Sequence, residues 1–297
     1  MKLLNTLGLP NLLLIAAAQL IFRHGFLEYQ AVTLALNTWQ NALLVLATVL
    51  IGAGGYLMNG LVGENGNKTG LSESVAYNVY AGLTIAGVGI GFYLSNHIEK
   101  PWFCAMFIVV AYGLYLYASS LKYSLILSNV IIALLIVLSI LVLGIFNLYP
   151  TYGADLSGIR MVFSIIIDYC AFIFFLALLL TLVKDLKHTD ADYNNGTNTL
   201  PIAIGKKRTA RVAFFVALIP AAMLLYYANA NLKEYGLWYA LGFILLFILG
   251  PLVWFLINIW DAKSQKEFSL MEKVLKATLF FTAVSIAVVT YNIHQNA

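Results

Sequence analysis

The stretch MVFSIIIDYCAFIFFLALLLTLVK, residues 161–184, decides the fold. Its only charged residues are Asp168 and the closing Lys184. A helix needs about 20 apolar residues to cross about 30 Å of hydrocarbon, and this run supplies them. Working outward, runs of the same kind lie near 10–27, 40–59, 76–95, 102–119, 123–147, 210–228, 236–259 and 273–292. The expectation is an all-α membrane protein, a single domain over residues 1–297 with nine transmembrane helices. Composition agrees, because hydrophobic residues make up 62% of the 297 and charged residues 10%, against roughly 25% charged in a soluble domain. The first run continues from Pro10 towards Arg23 without a small-residue cleavage site, so it reads as a span and not a removable signal. Cys104 and Cys170 lie in apolar runs with no CxxC pair and read as small core residues.

Basic residues orient the chain. With the N-terminus cytoplasmic, the inner segments carry Lys2, Lys68, Lys122, Lys184, Lys187, Lys206, Lys207, Arg208, Arg211, Lys263, Lys266, Lys273 and Lys276. The outer ones carry Arg23, Lys100, Arg160 and Lys233, a split of 13 to 4 that accounts for all 17. The same bias explains the net charge of +4 without a nucleic-acid partner. It places two polar loops, 59–75 and 184–209, on one cytoplasmic face, where their side chains could converge on one cavity mouth. A further segment, 259–272, reads as a solvated amphipathic linker.

In the second polar segment, Asp185, His188 and Asp192 stand at i, i+3 and i+7, which is one face if the sixth helix runs on past Lys184. Two carboxylates so placed suit Mg²⁺, a hard cation that takes oxygen ligands and phosphate oxygens. The plainer alternative is a solvated helix end whose acids balance nearby lysines. Asp168, inside the sixth span, is either a functional group or a hydrogen-bonding partner to a neighbouring helix. Glu64 and Lys68, at i and i+4, are a metal and phosphate contact or a surface pair. Asn59 is a site residue or the C-terminal residue of a helix before the Gly60–Gly63 stretch. The 18 Tyr, 18 Phe and 5 Trp line a cavity or form interfacial belts.

Three stretches, Leu9-Pro10-Asn11-Leu12-Leu13, Gly91-Phe92-Tyr93-Leu94-Ser95-Asn96 and Asn198-Thr199-Leu200-Pro201-Ile202-Ala203-Ile204-Gly205, carry a resemblance. The last, following Lys184-Asp185 and Asp192, is the most specific. The chain resembles the UbiA-type membrane prenyltransferases over essentially its whole length, in particular their bacterial geranylgeranylglycerol-phosphate geranylgeranyltransferase-like branch. The resemblance implies nine helices in a UbiA-like bundle around a central cavity, with two aspartate-rich cytoplasmic motifs after the second and sixth. It implies Mg²⁺ bridging those aspartates to a prenyl diphosphate, whose allylic cation an acceptor captures. On this chain it implies catalytic roles for Asp185, Asp192 and Asn59, and metal contacts from Asp185, Asp192 and Glu64. It implies substrate contacts from Tyr56 and Asn198 and a multi-pass protein of the bacterial inner membrane; Lys68, Lys184 and Lys187 could hold a phosphate directly as point charges, and Asp168, an ionisable group inside a span, is a further candidate for substrate contact.

The chain departs from the family pattern in one direction. The first motif, of the type N-D-x-x-D-x-x-x-D, keeps Asn59 but has Gly60, Gly63 and Asn67 at the aspartate positions. Leu180 and Thr181 stand where the family has Arg-Glu, His188 replaces an acid, and Leu9 replaces the arginine before Pro10. Mg²⁺ absorbs charge on the leaving diphosphate, worth several kcal/mol, and each loss of about 1.36 kcal/mol slows the step about tenfold. The expectation is a protein with lost or nearly lost prenyl transfer that binds an isoprenoid lipid or a membrane protein partner. The alternative is an active transferase with an altered Mg²⁺–diphosphate clamp. A third reading, an unrelated channel or transporter, is opposed by the lack of an internal repeat and of charge within most spans.

The orientation is testable. Single cysteines placed at positions 64 and 190 are both expected to react with an impermeant thiol reagent only from the cytoplasmic side; labelling from opposite faces would refute the shared-face topology.

Overall fold

The computed structural model describes residues 7–62, 67, 69–153, 156–194 and 196–296. All regular structure among them is helical. The helices are α1 (Leu9–Gly25), α2 (Thr38–Leu61), α3 (Glu73–His97), α4 (Cys104–Ser119), α5 (Leu127–Leu148) and α6 (Leu156–Asn194). They continue with a short α7 (Leu200–Ile204), then α8 (Lys206–Tyr227), α9 (Trp238–Ile259) and α10 (Gln265–Asn296). Every one but α7 belongs to a segment long and apolar enough to cross a membrane, which gives nine candidate spans among the described residues. The expected all-α, nine-span fold is borne out. Large apolar side chains such as Ile85, Ile108, Leu246 and Ile257 are exposed on these helices, as a bilayer solvent allows and water does not. Cys104 and Cys170 are buried and unpaired with each other.

The chain divides into two compact units. The first comprises Met1–Arg23, Gln30–Lys122 and Val137–Ile167. Here α2 begins with a reciprocal capping box: Asn37 Oδ1 accepts from the Gln40 amide and Gln40 Oε1 from the Asn37 amide, both at 2.9 Å. Close helix approach rests on glycine. A Cβ on Gly87 would stand 3.0 Å from the Ala47 carbonyl oxygen and 2.6 Å from Ile51 Cγ1, and one on Gly91 would strike the Phe107 ring. The unit's interior also holds charge. Arg23, 4% exposed, donates to Asn147 Oδ1 (3.0 Å) and the Leu36 carbonyl (2.9 Å), and Asn147 Nδ2 donates on to Asn41 Oδ1 and the Leu143 carbonyl. Arg23 is therefore a buried group of α1 and not the outer-loop cation that the sequence suggests, which leaves the basic asymmetry undiminished.

The second unit comprises His24–Tyr29, Tyr123–Ile136 and Asp168–Ala297. In it, α9 widens into a π turn over Leu245–Leu249, where the Gly250 amide reaches back to the Leu245 carbonyl. The cause is Pro251, which has no N–H for the ladder and whose ring crowds the preceding turn. Phe243, Phe247 and Phe281 pack with centroids 4.8–6.1 Å apart, and Asn292 Oδ1 accepts from the Ala240 amide.

Two sequence expectations need correction. The segment 184–209 is mostly helix, since α6 runs to Asn194 and α7 and α8 follow almost at once. Nothing between Gly158 and Gly196 is a glycine or proline, so nothing stops α6 earlier. The segment 259–272 is not one solvated linker, because α10 starts at Gln265. Ser264 and Glu267 cap it reciprocally, with the Ser264 amide donating to Glu267 Oε2 (2.7 Å) and the Glu267 amide to Ser264 Oγ (3.3 Å).

The buried Arg23 network gives a stability test. Asn147→Leu leaves Arg23 and Asn41 each one partner short, at a cost of about 1–3 kcal/mol for each buried polar group stranded. A clear fall in the thermal midpoint of the detergent-purified protein is expected; an unchanged midpoint would show that the network contributes nothing.

Candidate active site

Helix α6 has 39 residues, about 58 Å at 1.5 Å per residue, nearly twice the roughly 30 Å of a hydrocarbon core. The apolar run ends at Lys184, so the turns from Asp185 to Asn194 extend beyond it. The helix is closed by a Schellman turn: Thr197 N donates to the Asp192 carbonyl (3.0 Å), Gly196 N to the Tyr193 carbonyl (3.2 Å), and Gly196 takes φ +66°. Thr197 Oγ1 adds a second bond to the Asp192 carbonyl at 2.8 Å. The backbone under Asp192 is thereby fixed at both ends of the turn.

The extension meets the condition on which the sequence reading depended. Asp185, His188 and Asp192 share a face of one continuous helix. Asp185 is half-buried and its Oδ2 accepts from Asn129 Nδ2 on α5 at 2.8 Å, while Thr189 Oγ1 bonds its carbonyl. Asp192 is half-buried and close enough to Asp185 and His188 to act on each electrostatically. Beside this face stands a cationic group. Lys187 Nζ and Lys276 Nζ both bond the Glu272 carboxylate, at 2.9 Å to Oε2 and 2.8 Å to Oε1, and Lys184 feels Lys276, Glu272, Lys187 and Asp185. At the exposed rim Lys206 pairs with Asp190 at 2.8 Å. Asn129, Glu272 and Lys276 were not singled out by sequence reasoning. The spacing Glu272-x-x-x-Lys276 at the start of the last apolar run was the available signal, whereas Asn129 had none.

The other expected residues are distributed as follows. Asn59 is exposed on the last turns of α2, its side chain without a hydrogen bond to a described residue. Tyr56 is partly buried, accepts from Asn11 Nδ2 at 2.9 Å, and packs so closely on Gly8 (φ +62°) that a Cβ there would meet the ring at 2.7 Å. Asn67 binds its own loop: Oδ1 accepts from Thr69 N (2.9 Å) and Oγ1 (2.5 Å), and Nδ2 donates to the Leu71 carbonyl (2.6 Å). Lys122 Nζ reaches the Val62 carbonyl at the end of α2. Glu64, Lys68 and Gly63 lie outside the described residues. In the second unit Leu180 is buried apolar packing, and Thr181 returns its hydroxyl to the Leu178 carbonyl at 2.8 Å. Asn198 is exposed ahead of α7, and Asp168 is exposed on α6, near Tyr227.

With this geometry in place, a profile of the UbiA prenyltransferase family matches residues 67–289. The chain belongs to that family. It is 29% identical over 254 residues to a digeranylgeranylglyceryl phosphate synthase of Sulfolobus acidocaldarius, covering 82% of this chain and 85% of that one. Its fold is similar to a solved digeranylgeranylglyceryl phosphate synthase, with a TM-score of 0.64 at 18% identity over 99% of this chain and 98% of the other. It is also similar to a UbiA homolog of Archaeoglobus fulgidus bound to DMAPP and Mg²⁺, with a TM-score of 0.62 at 15% identity over 96% and 99% of the two chains. The same homolog bound to GPP and Mg²⁺ gives 0.61 at 15% identity over 96% and 100%. The chain is thus a multi-pass membrane protein of a family whose solved members include Mg²⁺ and prenyl diphosphate complexes.

The residues present fit a Mg²⁺ ion shared with a ligand. Asp185 keeps one carboxylate oxygen clear of Asn129, and the carboxylate of Asp192 makes no hydrogen bond with a described residue. Mg²⁺ is commonly held by one or two carboxylates with water and substrate phosphate completing the octahedron. Among the described residues no three acidic, histidine or cysteine side chains form a closed metal cage, so the ion would depend on the phosphate. Asp185→Asn and Asp192→Asn are each expected to weaken Mg²⁺ binding in the presence of diphosphate at least about tenfold, or 1.4 kcal/mol, in a calorimetric titration; an unchanged affinity for either variant would dissolve the pair.

Proposed function

We propose that this protein is an intramembrane prenyltransferase of the UbiA type working with an altered diphosphate clamp. It binds a prenyl diphosphate at the α6 extension and transfers the isoprenoid to an acceptor within the bundle. The observation that carries the proposal is the shared Asp185–Asp192 face, braced by Asn129, with Lys184 acting on Asp185 and with Lys187 and Lys276 paired on Glu272. The N-terminus and the α6 extension lie on the cytoplasmic side, a placement the basic asymmetry supports, and the resemblance suggests a bacterial inner membrane.

When bound, Mg²⁺ supplies Lewis-acid stabilisation of charge on the leaving diphosphate. The chain's own groups do the rest. Asn129 holds Asp185 in one orientation, and the Schellman turn holds the backbone of Asp192. The lysines would take up negative charge as the allylic C–O bond breaks and its electron pair leaves with the diphosphate. The carbocation then accepts an electron pair from the acceptor nucleophile, which releases its proton.

A second reading has specific support. Asn67, at an aspartate position of the first motif, holds its loop together through a donor that an aspartate lacks, and Leu180 and Thr181 are given over to packing and to a bond within their own helix. On this reading the protein binds an isoprenoid lipid or a membrane protein partner without ionising a diphosphate.

Incubation of the purified protein with labelled geranylgeranyl diphosphate and Mg²⁺ separates the two. Slow, Mg²⁺-dependent diphosphate release that Asp185→Asn abolishes is the expected result; release at background despite retained binding would establish the second reading. In that event Gly60→Asp, Gly63→Asp and Asn67→Asp together should still gain less than about tenfold, because groups acting as a unit are strongly non-additive. Adding Leu180→Arg, Thr181→Glu and His188→Asp should recover turnover.

A further inference from the structure

We infer that Lys184, Lys187 and Lys276, organised by Glu272, form a phosphate-binding site that works without a metal ion. The inference rests on the proposed diphosphate binding and assigns part of it to residues of α10. The argument is one of charge balance. Lys187 from α6 and Lys276 from α10 converge on opposite oxygens of one carboxylate, that of Glu272, which is 8% exposed. Lys184 lies within their field, and it forms neither a hydrogen bond nor an ion pair with a described residue. Three half-buried ammonium groups therefore gather about one carboxylate, Lys187 and Lys276 within ion-pair distance of it and Lys184 one turn before Lys187 on the same flank of α6, a surplus of two positive charges over Glu272. The other nearby acid, Asp185, acts on Lys184 from beyond ion-pair distance and already accepts from Asn129. Like charges gathered out of water are costly unless compensated, and a phosphate ester with two negative charges supplies that compensation.

The chemistry selects phosphate over carboxylate or an aromatic acceptor. Ammonium groups are compact point charges on flexible stems, suited to the tetrahedral oxygens of a phosphoryl group. Glu272 positions two of them. Bridging Lys187 and Lys276, it offsets their mutual repulsion and holds both amines where α10 meets the Lys184–Lys187 flank of α6. The site would hold the end of a diphosphate that the carboxylates and their metal do not reach. This offers a physical account of how a chain with Gly60 and Asn67 at aspartate positions retains a grip on its donor. A prenyl diphosphate, inorganic phosphate and the headgroup of an anionic lipid share this recognition chemistry.

The test is calorimetry on the full-length purified protein in excess EDTA, with inorganic pyrophosphate and geranylgeranyl diphosphate as probes, and a third arm in nanodiscs with and without phosphatidylglycerol. Pyrophosphate is expected to bind the parent protein without metal. Lys184→Met should weaken it at least tenfold, whereas Lys184→Arg should stay within about threefold of the parent. Glu272→Gln should lower the thermal midpoint, and pyrophosphate should raise that midpoint by more than it raises the parent's, because the anion replaces the missing carboxylate. A deficit in Glu272→Gln that pyrophosphate leaves untouched would mean a merely structural ion pair and overturn the site. So would absence of any binding in EDTA by the parent protein, a result that stands even if Lys184→Met fails to fold. Lys184-dependent binding of phosphatidylglycerol alone would support the site and identify a lipid headgroup as its occupant. The two proposals fail separately. Binding that requires Mg²⁺ and ignores Lys184 removes this site and leaves prenyl transfer standing, while metal-free binding without diphosphate release does the reverse.

Discussion

A bilayer offers no hydrogen-bonding partner to the backbone, and every other feature of this chain follows from that constraint. Each crossing segment must satisfy its amides internally, so each is a helix, and the nine spans follow from nine apolar runs. The same constraint raises the stakes for polar side chains within the bundle. Arg23 is tolerated because Asn147 and the Leu36 carbonyl accept from it, and Asn147 in turn ties α5 to Asn41 on α2. Where no hydrophobic drive distinguishes a neighbouring helix from lipid, close backbone approach takes over, and Gly87 and Gly91 on α3 provide it.

The candidate site arises where α6 outlasts the membrane. Continuity of the helix past Lys184 turns a sequence spacing into a geometric fact, with Asp185, His188 and Asp192 in register. A helix end left to itself would fray. This one is stopped by Gly196 and anchored by Thr197, which keeps Asp192 on the same face as Asp185. On the proposed function, carboxylates on one flank and lysines on the other would divide the work of holding a polyanion, metal-mediated on one side and direct on the other. Such a division would trade the strong Lewis-acid effect of a second metal ion for point charges that need only a bridging glutamate.

The family resemblance sets Asn67 at an aspartate position of the first motif, and the bonds it makes would render a carboxylate there costly. Asn67 has taken on a structural task, accepting twice from Thr69 and donating to Leu71. Aspartate could accept as well, but a carboxylate facing the Leu71 carbonyl would repel it. Reversion would therefore cost loop stability before it restored a metal ligand. The family profile begins at Asn67, beyond Asn59, Gly60 and Gly63.

The sequence by itself determined what depends on short-range pattern. Span number follows from run length, helical class from the bilayer, and the alignment of Asp185, His188 and Asp192 from a 3.6-residue period. Even the true start of α10 was legible in Ser264-Gln265-Lys266-Glu267, a capping-box pattern hidden by reading the segment as a polar linker. Tertiary structure alone decided the partners. Asn129 meets Asp185 across 56 residues of chain and Lys187 meets Glu272 across 85, and no local period encodes such encounters. It also decided that Arg23 lies inside and that Tyr56 packs on Gly8. A side chain's burial and its partner depend on which helices pack together, and that is fixed by side-chain shape and hydrogen bonding summed over distant segments.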